Sequence, residues 1–275
     1  ITPNSDQAKG YIKIDRQKGE ISGYNPVHRI YQGWGQPAGF SGYFFIRISK
    51  VFTTSGVFSG ASVSADQSVE NQKDLGAYLG FKLQKGESIS IYAGTSFTSI
   101  AAAKLNLETE INSAGLAKIV SATNQVWERS LGQIKVSDPS EKNKRIFYTA
   151  LYHAQQHPRL FNDVDGGYPQ FGGNYTKKTL KQGNYYDDFS MWDIYRAQLP
   201  LVELLKPNLA NDFANSLVLK GQQGGWLPIF PCWNNYTAAM IGDHATAFLA
   251  SAYNKGIRGY DVKEAYRLMR QNAFQ

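Results

Sequence analysis

The chain changes its hydrophobic period once, near Ser99, from two residues to between three and four. That switch constrains the fold more than any single motif. A period of two lays one side of a strand on a core, whereas a period of 3.6 lays down one side of a helix. Before the switch, Tyr11-Ile-Lys-Ile-Asp15 and Phe45-Ile-Arg-Ile-Ser49 alternate apolar and polar residues. Leu79-Gly-Phe-Lys-Leu-Gln84 and Ser88-Ile-Ser-Ile-Tyr92 do the same on either side of Lys85-Gly-Glu87, which reads as a hairpin turn. Runs of this length and spacing predict an antiparallel β-sandwich over residues 1–98. No chemistry is visible on it. His28 and Trp34 lie in a Gly/Pro-rich loop placed to reach a site, and structural roles are the better-supported reading for both.

After Ser99, Ile100 to Ile111 carries Ala, Leu and Glu in helical proportions, and Leu116 to Leu131 continues with apolar residues three and four apart. Residues 99–137 therefore read as a helical linker. From residue 138 onward, helices are predicted over 141–155, 187–205, 209–221, 236–255 and 261–272. Asp138-Pro-Ser-Glu141, Asn208, and Asp261 with Glu264 supply start signals, while Lys206-Pro207 and Lys255-Gly256 supply stops. Paired helices with polar, glycine-rich loops gathered at one end predict an (α/α) toroid over residues 138–275. Five helices are too few to close a ring of six hairpins, so the chain is expected to end within that domain. The fold class is thus α+β and multidomain: a sandwich, a linker and a partial (α/α)6 barrel.

Composition excludes several functions. With 42% hydrophobic and 19% charged residues, a packed core is expected and disorder is not. The net charge of +7 comes from Lys and Arg scattered singly, with no cluster denser than Lys142-Asn-Lys-Arg145, which argues against a nucleic-acid footprint. One cysteine, Cys232, allows neither an internal disulfide framework nor a cysteine-rich metal site. No apolar run is long enough to cross a bilayer, and no signal peptide is visible in a sequence that starts at Ile1. The Gly-x-Ser-x-Gly elbow, the phosphate loop, the Rossmann glycines and His-Glu-x-x-His are all missing. The sequons at Asn174 and Asn235 matter only in a eukaryotic secretory pathway.

Four segments are rich in groups that do chemistry. Phe161-Asn-Asp-Val-Asp-Gly-Gly167 places Asp163 and Asp165 as in the start of a calcium loop, without the EF-hand glycine and glutamate, and reads equally as an Asp/Asn/Gly turn. In Tyr186-Asp-Asp-Phe-Ser-Met-Trp-Asp-Ile-Tyr-Arg196, a helix from Asp188 would put Asp188, Trp192 and Arg196 on one face. The acids there suit a helix start, yet Trp192 followed by Asp193 also suits stacking on a sugar ring and binding its hydroxyls. Gly224 to Asn235 is a long loop carrying Trp226 and Trp233, and such loops are uncommon without a function. Tyr236 to His244 opens the next predicted helix, which would set Tyr236 and Asp243 two turns apart on one face. The 13% aromatic content lends the sugar reading mild support.

Taken in order, Phe147-Tyr-Thr-Ala-Leu-Tyr-His153 with His157-Pro158, Asp163-Val-Asp-Gly166, Ser190-Met-Trp-Asp-Ile-Tyr-Arg196, Gly225-Trp-Leu-Pro228, Met240-Ile-Gly-Asp-His244 and Ala252 to Asp261 closely resemble glycoside hydrolase family 92. The resemblance covers residues 75–275 well and the first part more loosely. It implies a β-sandwich, a helical linker and an (α/α)6 barrel in a secreted or periplasmic, calcium-dependent exo-α-mannosidase that inverts configuration. Its substrates would be mannans or N-glycans. It also implies that Trp192 and Asp193 bind the terminal mannose, with Asp163, Asp165 or His244 near the pocket; Trp226, Trp233 and Tyr236 are further candidate substrate-binding residues. The calcium ligands and the general base are expected mostly beyond Gln275, supplied by the remainder of the same polypeptide or a separate chain, and the metal-ligating residues of this chain are unknown. This sequence departs from the family at Tyr236, where many members carry the Glu that looks like the proton donor, and tyrosine is a poor acid near neutral pH. Asp243, where the same members often carry Tyr, is the candidate replacement acid. A non-catalytic mannose-binding homologue and a mannosyl-phosphodiester hydrolase are the two alternatives.

Overall fold

The structure, a computed structural model, describes residues 10–26, 40–72, 74–111, 114–173 and 175–274. His28, Trp34 and the sequon Asn174 lie outside the described residues. The chain forms two compact units, one of residues 1–33, 37–113 and 162–182, the other of residues 34–36, 114–161 and 183–275.

The first unit holds the strands β1 (Gly10–Asp15), β2 (Glu20–Pro26), β3 (Ser41–Ile48), β4 (Thr54–Ser59), β5 (Ser62–Ser64), β6 (Ser68–Gln72), β7 (Leu75–Gly80) and β8 (Ile91–Ser96). They pair antiparallel in two sheets, ordered β6-β1-β2-β3-β8 and β5-β4-β7. Alternation decides which face each residue serves. On β3, Phe44, Ile46 and Ile48 join Ile12, Ile14, Ile21, Val57 and Leu79 in a core drawn from both sheets. Tyr43 and Phe45 point the other way, onto α1 (Ile100–Glu110), where Ala103 and Leu107 complete a second cluster. Gly94 of β8 is where the helix lies hardest on the sheet: a Cβ there would overlap the Ala103 carbonyl and come 2.7 Å from Leu107 Cβ. Ser99 caps α1, its hydroxyl accepting from the Ala102 N–H at 3.0 Å.

The expected hairpin at Lys85-Gly-Glu87 is corrected. A turn is present, with Glu87 N–H donating to the Gln84 carbonyl at 3.1 Å. The strands flanking it pair in different sheets, β7 with β4 and β8 with β3. β7 ends at Gly80 and β8 starts only at Ile91, so this turn crosses the sandwich and does not close a ladder.

The second unit holds α2 (Leu116–Leu131) and α3 (Glu141–His153), then the strand β9 (Arg159–Leu160). Residues 162–182 belong to the first unit and form the hairpin of β10 (Gly167–Pro169) and β11 (Lys177–Thr179). β12 (Tyr186–Asp187) then pairs with β9, and is followed by α4 (Met191–Ile194), α5 (Gln198–Leu205) and α6 (Pro207–Gly224). A second hairpin, β13 (Pro231–Cys232) with β14 (Asn235–Tyr236), precedes α7 (His244–Asn254) and α8 (Val262–Phe274). The helical core gathers Phe189, Met191, Leu199, Phe213, Leu217, Phe248, Leu249 and Leu268.

Three helix expectations change. The single helix over 187–205 is broken, because Asp188 adopts a left-handed φ of 63° and residues 191–194 form only one turn before α5. Asp188 therefore does not share a helical face with Trp192 and Arg196. Lys206-Pro207 both ends α5 and begins α6, since proline at the first position of a helix loses no hydrogen bond; Asn208 is not the cap. The helix expected from residue 236 begins at His244. Ala238, Met240 and Gly242 all have positive φ, and Thr237 Oγ1 folds the segment back by bonding the Phe230 carbonyl at 2.8 Å. By contrast α3, capped by Ser140, and α8, where Asp261 accepts from Glu264 N–H at 3.0 Å, start where their signals stand. Among the described residues no helix is long and apolar enough to cross a membrane.

Candidate functional site

In the helical unit, β13 and β14 are joined by Trp233 and Asn234, both with φ of 52°. A two-residue hairpin whose central residues are both left-handed matches the twist of its strands, but Trp is a costly residue for that conformation. Two carboxylates hold it there. Trp233 N–H donates to Asp188 Oδ1 at 3.2 Å and Asn234 N–H donates to Asp187 Oδ2 at 2.7 Å.

Each aspartate also meets a cation. Arg159 Nε donates to Asp188 Oδ2 at 2.5 Å, and its guanidinium lies 5.5 Å from the centre of the Trp233 ring. Lys220, fully buried, places Nζ 2.8 Å from Asp187 Oδ1, 2.6 Å from Tyr185 Oη and 3.3 Å from Asn234 Oδ1. Tyr185 Oη in turn donates to Asn234 Oδ1 at 2.6 Å. Burial pushes the Asp187 carboxyl up, with the Lys220 charge opposing it; burial pushes the Lys220 ammonium down, with Asp187 opposing that.

The second unit holds seven of the sequence-predicted residues: Trp192, Asp193, Trp226, Trp233, Tyr236, Asp243 and His244. Tyr236, on β14, donates its hydroxyl to the Trp226 carbonyl at 2.6 Å and accepts from Trp226 N–H at 3.1 Å. Burial raises the Tyr236 phenol above its ordinary value, only partly opposed by the Trp226 backbone, so it is a still weaker acid than free tyrosine. Asp243 stands exposed just before α7, with Oδ2 accepting from Thr246 Oγ1 at 2.6 Å and Oδ1 3.4 Å from Asn272 Nδ2. Asn272 also bonds both backbone groups of Leu227, at 3.2 Å each. Tyr236 and Asp243 are thus linked through the Trp226-Leu227 backbone and α8, not along a shared helix face.

His244 stacks on Tyr195 with centroids 3.9 Å apart and an 8° tilt, and lies 5.4 Å from the Trp192 ring. Its Nε2 is buried without a hydrogen-bond partner among the described residues. Arg196 covers both Trp192 and Tyr195, at 4.4 and 4.8 Å. Asp193 is exposed and accepts from Ser190 Oγ at 2.5 Å. Trp192 and Trp226 are 37% and 41% exposed, enough to offer a flat apolar face to a ligand.

Asp163 and Asp165 belong to the first unit. Asp163 is buried: Oδ2 accepts from Ser96 Oγ at 2.9 Å and Thr98 Oγ1 at 2.5 Å, and Oδ1 accepts from Asn106 Nδ2 at 2.8 Å. Asp165 accepts from Gly167 N–H at 2.8 Å and pairs with Lys177 at 3.0 Å. Burial raises its carboxyl, but the Gly167 N–H and Lys177 outweigh that and hold it below the usual range. Among the described residues no group of three or more His, Cys, Asp or Glu side chains is placed to hold a metal ion.

Sequence reasoning missed Arg159, Tyr185, Lys220 and Asn234, and read Asp187 and Asp188 as a helix start. One signal was present: Lys220 follows Leu217-Val-Leu219 on a face that packs inward, and a buried lysine needs an acid.

The chain matches the description "Glycosyl hydrolase family 92 N-terminal domain" over residues 2–96 and "Glycosyl hydrolase family 92 catalytic domain" over residues 102–275. Among curated proteins, none matches it significantly. The family GH92 α-mannosidase BT3965 from Bacteroides thetaiotaomicron, also solved in complex with mannoimidazole, is similar over 98% of this chain at 28% identity and a TM-score of 0.86. The family GH92 inverting mannosidase BT2199 from Bacteroides thetaiotaomicron VPI-5482 is similar over 95% of this chain at 26% identity and a TM-score of 0.85. This chain spans 36% of the first structure and 35% of the second. With both of its domains matched in order, the chain belongs to glycosyl hydrolase family 92.

Proposed function

We propose that this chain is part of an exo-acting α-mannosidase that removes terminal α-linked mannose with inversion, from mannans or N-glycans, on an (α/α)6 barrel in a secreted or periplasmic setting. Family membership supports glycoside hydrolysis, and the solved relatives named as mannosidases support the sugar. The observation that carries the reading is the exposed Asp243 carboxyl, which adjoins His244, the neighbour of the exposed Trp192, and meets Asn272, which holds the Leu227 backbone next to the exposed Trp226. Inversion uses one carboxylic acid to protonate the leaving oxygen and a second carboxylate to activate water. Asp243 is assigned the first role, Trp192, Trp226 and Trp233 the stacking, and Asp193 the hydroxyls. The base is assigned to none of the described residues. Calcium assistance is part of the proposal by family alone. No residue of this chain is assigned to the ion, and no step is assigned to it.

Asp243→Asn in the full protein tests the assignment on unactivated α-mannobiose. The expected loss is at least about a hundredfold in kcat, the usual scale for a general acid. Unchanged hydrolysis would sink it. Measuring the wild type with and without a calcium chelator separates the metal from the carboxyl.

One observation favours a second substrate class. The Tyr236 hydroxyl is tied at both its proton and its lone pair to Trp226, so position 236 supplies no acid. A mannosyl phosphodiester carries a leaving group that needs less protonation. Retained cleavage of such a diester by Asp243→Asn, with α-mannobiose cleavage lost, would favour that class. Binding of mannose with no turnover of either substrate would instead mark a binding protein.

A further inference from the structure

The tip of the β13–β14 hairpin is supported by a matched set of groups. Two adjacent carboxylates, Asp187 and Asp188, each receive one of two successive N–H groups at the tip, and each is matched by one cation. On the Asp188 side the cation is Arg159, partly exposed and lying over the Trp233 ring. On the Asp187 side everything is enclosed: Lys220, Asp187, Tyr185 and Asn234 expose no surface, and Asn235 exposes 1%. A buried ion pair is poor value for stability alone, since apolar residues of equal size usually do as well. What it does provide is direction. Lys220 is bonded at once to Asp187, Tyr185 and Asn234, and Asp187 and Asn234 are bonded to each other, which closes a ring of contacts around one backbone conformation.

We propose that Asp187 and Lys220 are positioning residues for Trp233: the pair holds the left-handed tip in shape and so sets the angle at which the indole meets the sugar. Trp233 is the tip side chain that is not enclosed, with the partly exposed Arg159 over its ring. It is half-buried, and its Nε1 is buried without a partner among the described residues. Its backbone, with a left-handed φ of 52°, is the strained link of the tip. The inference rests on the reading that Trp233 faces the mannoside.

The test uses the full protein labelled with 15N at tryptophan, the Trp233 indole resonance being identified by its loss in Trp233→Phe. Asp187→Asn/Lys220→Met removes both charges at nearly constant size. The expected result is a cooperatively unfolding protein with wild-type far-ultraviolet circular dichroism, a displaced Trp233 indole resonance, and about tenfold weaker binding of methyl α-mannoside. A folded double variant with the Trp233 resonance and the affinity of the wild type overturns the proposal. If the double variant does not fold, Tyr185→Phe, which removes only the hydroxyl between Lys220 and Asn234, is read by the same resonance; no displacement overturns the proposal there too. A titration of the wild type with methyl α-mannoside separates the underlying reading. If the sugar leaves the Trp233 resonance unmoved while the double variant displaces it, the pair positions Trp233 but Trp233 does not meet the sugar, and the functional half of the proposal falls.

Discussion

The ammonium of Lys220 lies 2.8 Å from Asp187 Oδ1, and neither side chain exposes any surface. Removing one member leaves a buried charge with no partner. Lys220→Met is expected to cost about 3–5 kcal/mol of unfolding free energy, and Asp187→Asn/Lys220→Met distinctly less. Urea unfolding of Lys220→Met, Asp187→Asn and the double variant measures this; a double variant that costs the sum of the two single ones would show that the pair is not coupled.

Tyr236 closes on Trp226 through both backbone groups. Gly224 makes room for that contact, since a Cβ there would come 2.7 Å from Tyr236 Cε2. Tyr236→Phe is expected to lose about 1–3 kcal/mol, because the Trp226 N–H and carbonyl are left to find other partners. Gly224→Ala is expected to be destabilised by a similar amount through overpacking. Both should shift tryptophan emission. If Gly224→Ala melts with the wild type and emits like it, the contact is looser than described.

Asp163 accepts from Ser96, Thr98 and Asn106, all within the first unit. Asp163→Ala orphans three buried donors and is expected to lose about 3 kcal/mol or more. Asp163→Asn should likewise move the denaturant midpoint more than the affinity for methyl α-mannoside. The reverse pattern would show the carboxylate reaching a ligand.

Burial, with the Asp212 carboxylate adding to it, pushes the Tyr186 phenol up to about 12 from 10.0. The folded state therefore keeps its proton after the unfolded chain has lost it. The stability this contributes is fully present below pH 10 and is lost as pH rises towards 12. Tyr186→Phe keeps the ring, which meets Phe213 edge-on at 4.8 Å, and removes the titration. The wild type is expected to lose more stability than the variant between pH 10 and pH 12. Parallel curves would place the phenol in water.

How much of this was legible depended on how local the cause was. Ser99, Ser140 and Asp261 mark helix starts because a cap needs only the next three residues. The alternation on β1 and β3 marks strands because each residue alternately faces a core. The segments 187–205 and 236–243 misled the same kind of reading. Their composition suits a helix, but left-handed residues at Asp188, Ala238 and Met240 interrupt it, and no local rule places such residues there. Of the site, the aromatic residues and Asp243 were visible as types, while Arg159 and Lys220 were not. Their partners lie 29 and 33 positions away in sequence.

By itself, then, the sequence determined a strand-rich first part, a helical second part, the change of period near Ser99, and through its ordered motifs the family. Only the tertiary structure decided that the turn at residues 85–87 crosses between sheets. It alone brought Tyr236 and Asp243 together through Trp226, Leu227 and Asn272, and set two aspartates under the tip that carries Trp233. The physical reason is the range of the forces. Periodicity and capping act within a turn or two of chain. A buried charge or a strained backbone is tolerable only where distant segments converge to satisfy it, and that convergence is a property of the packed chain.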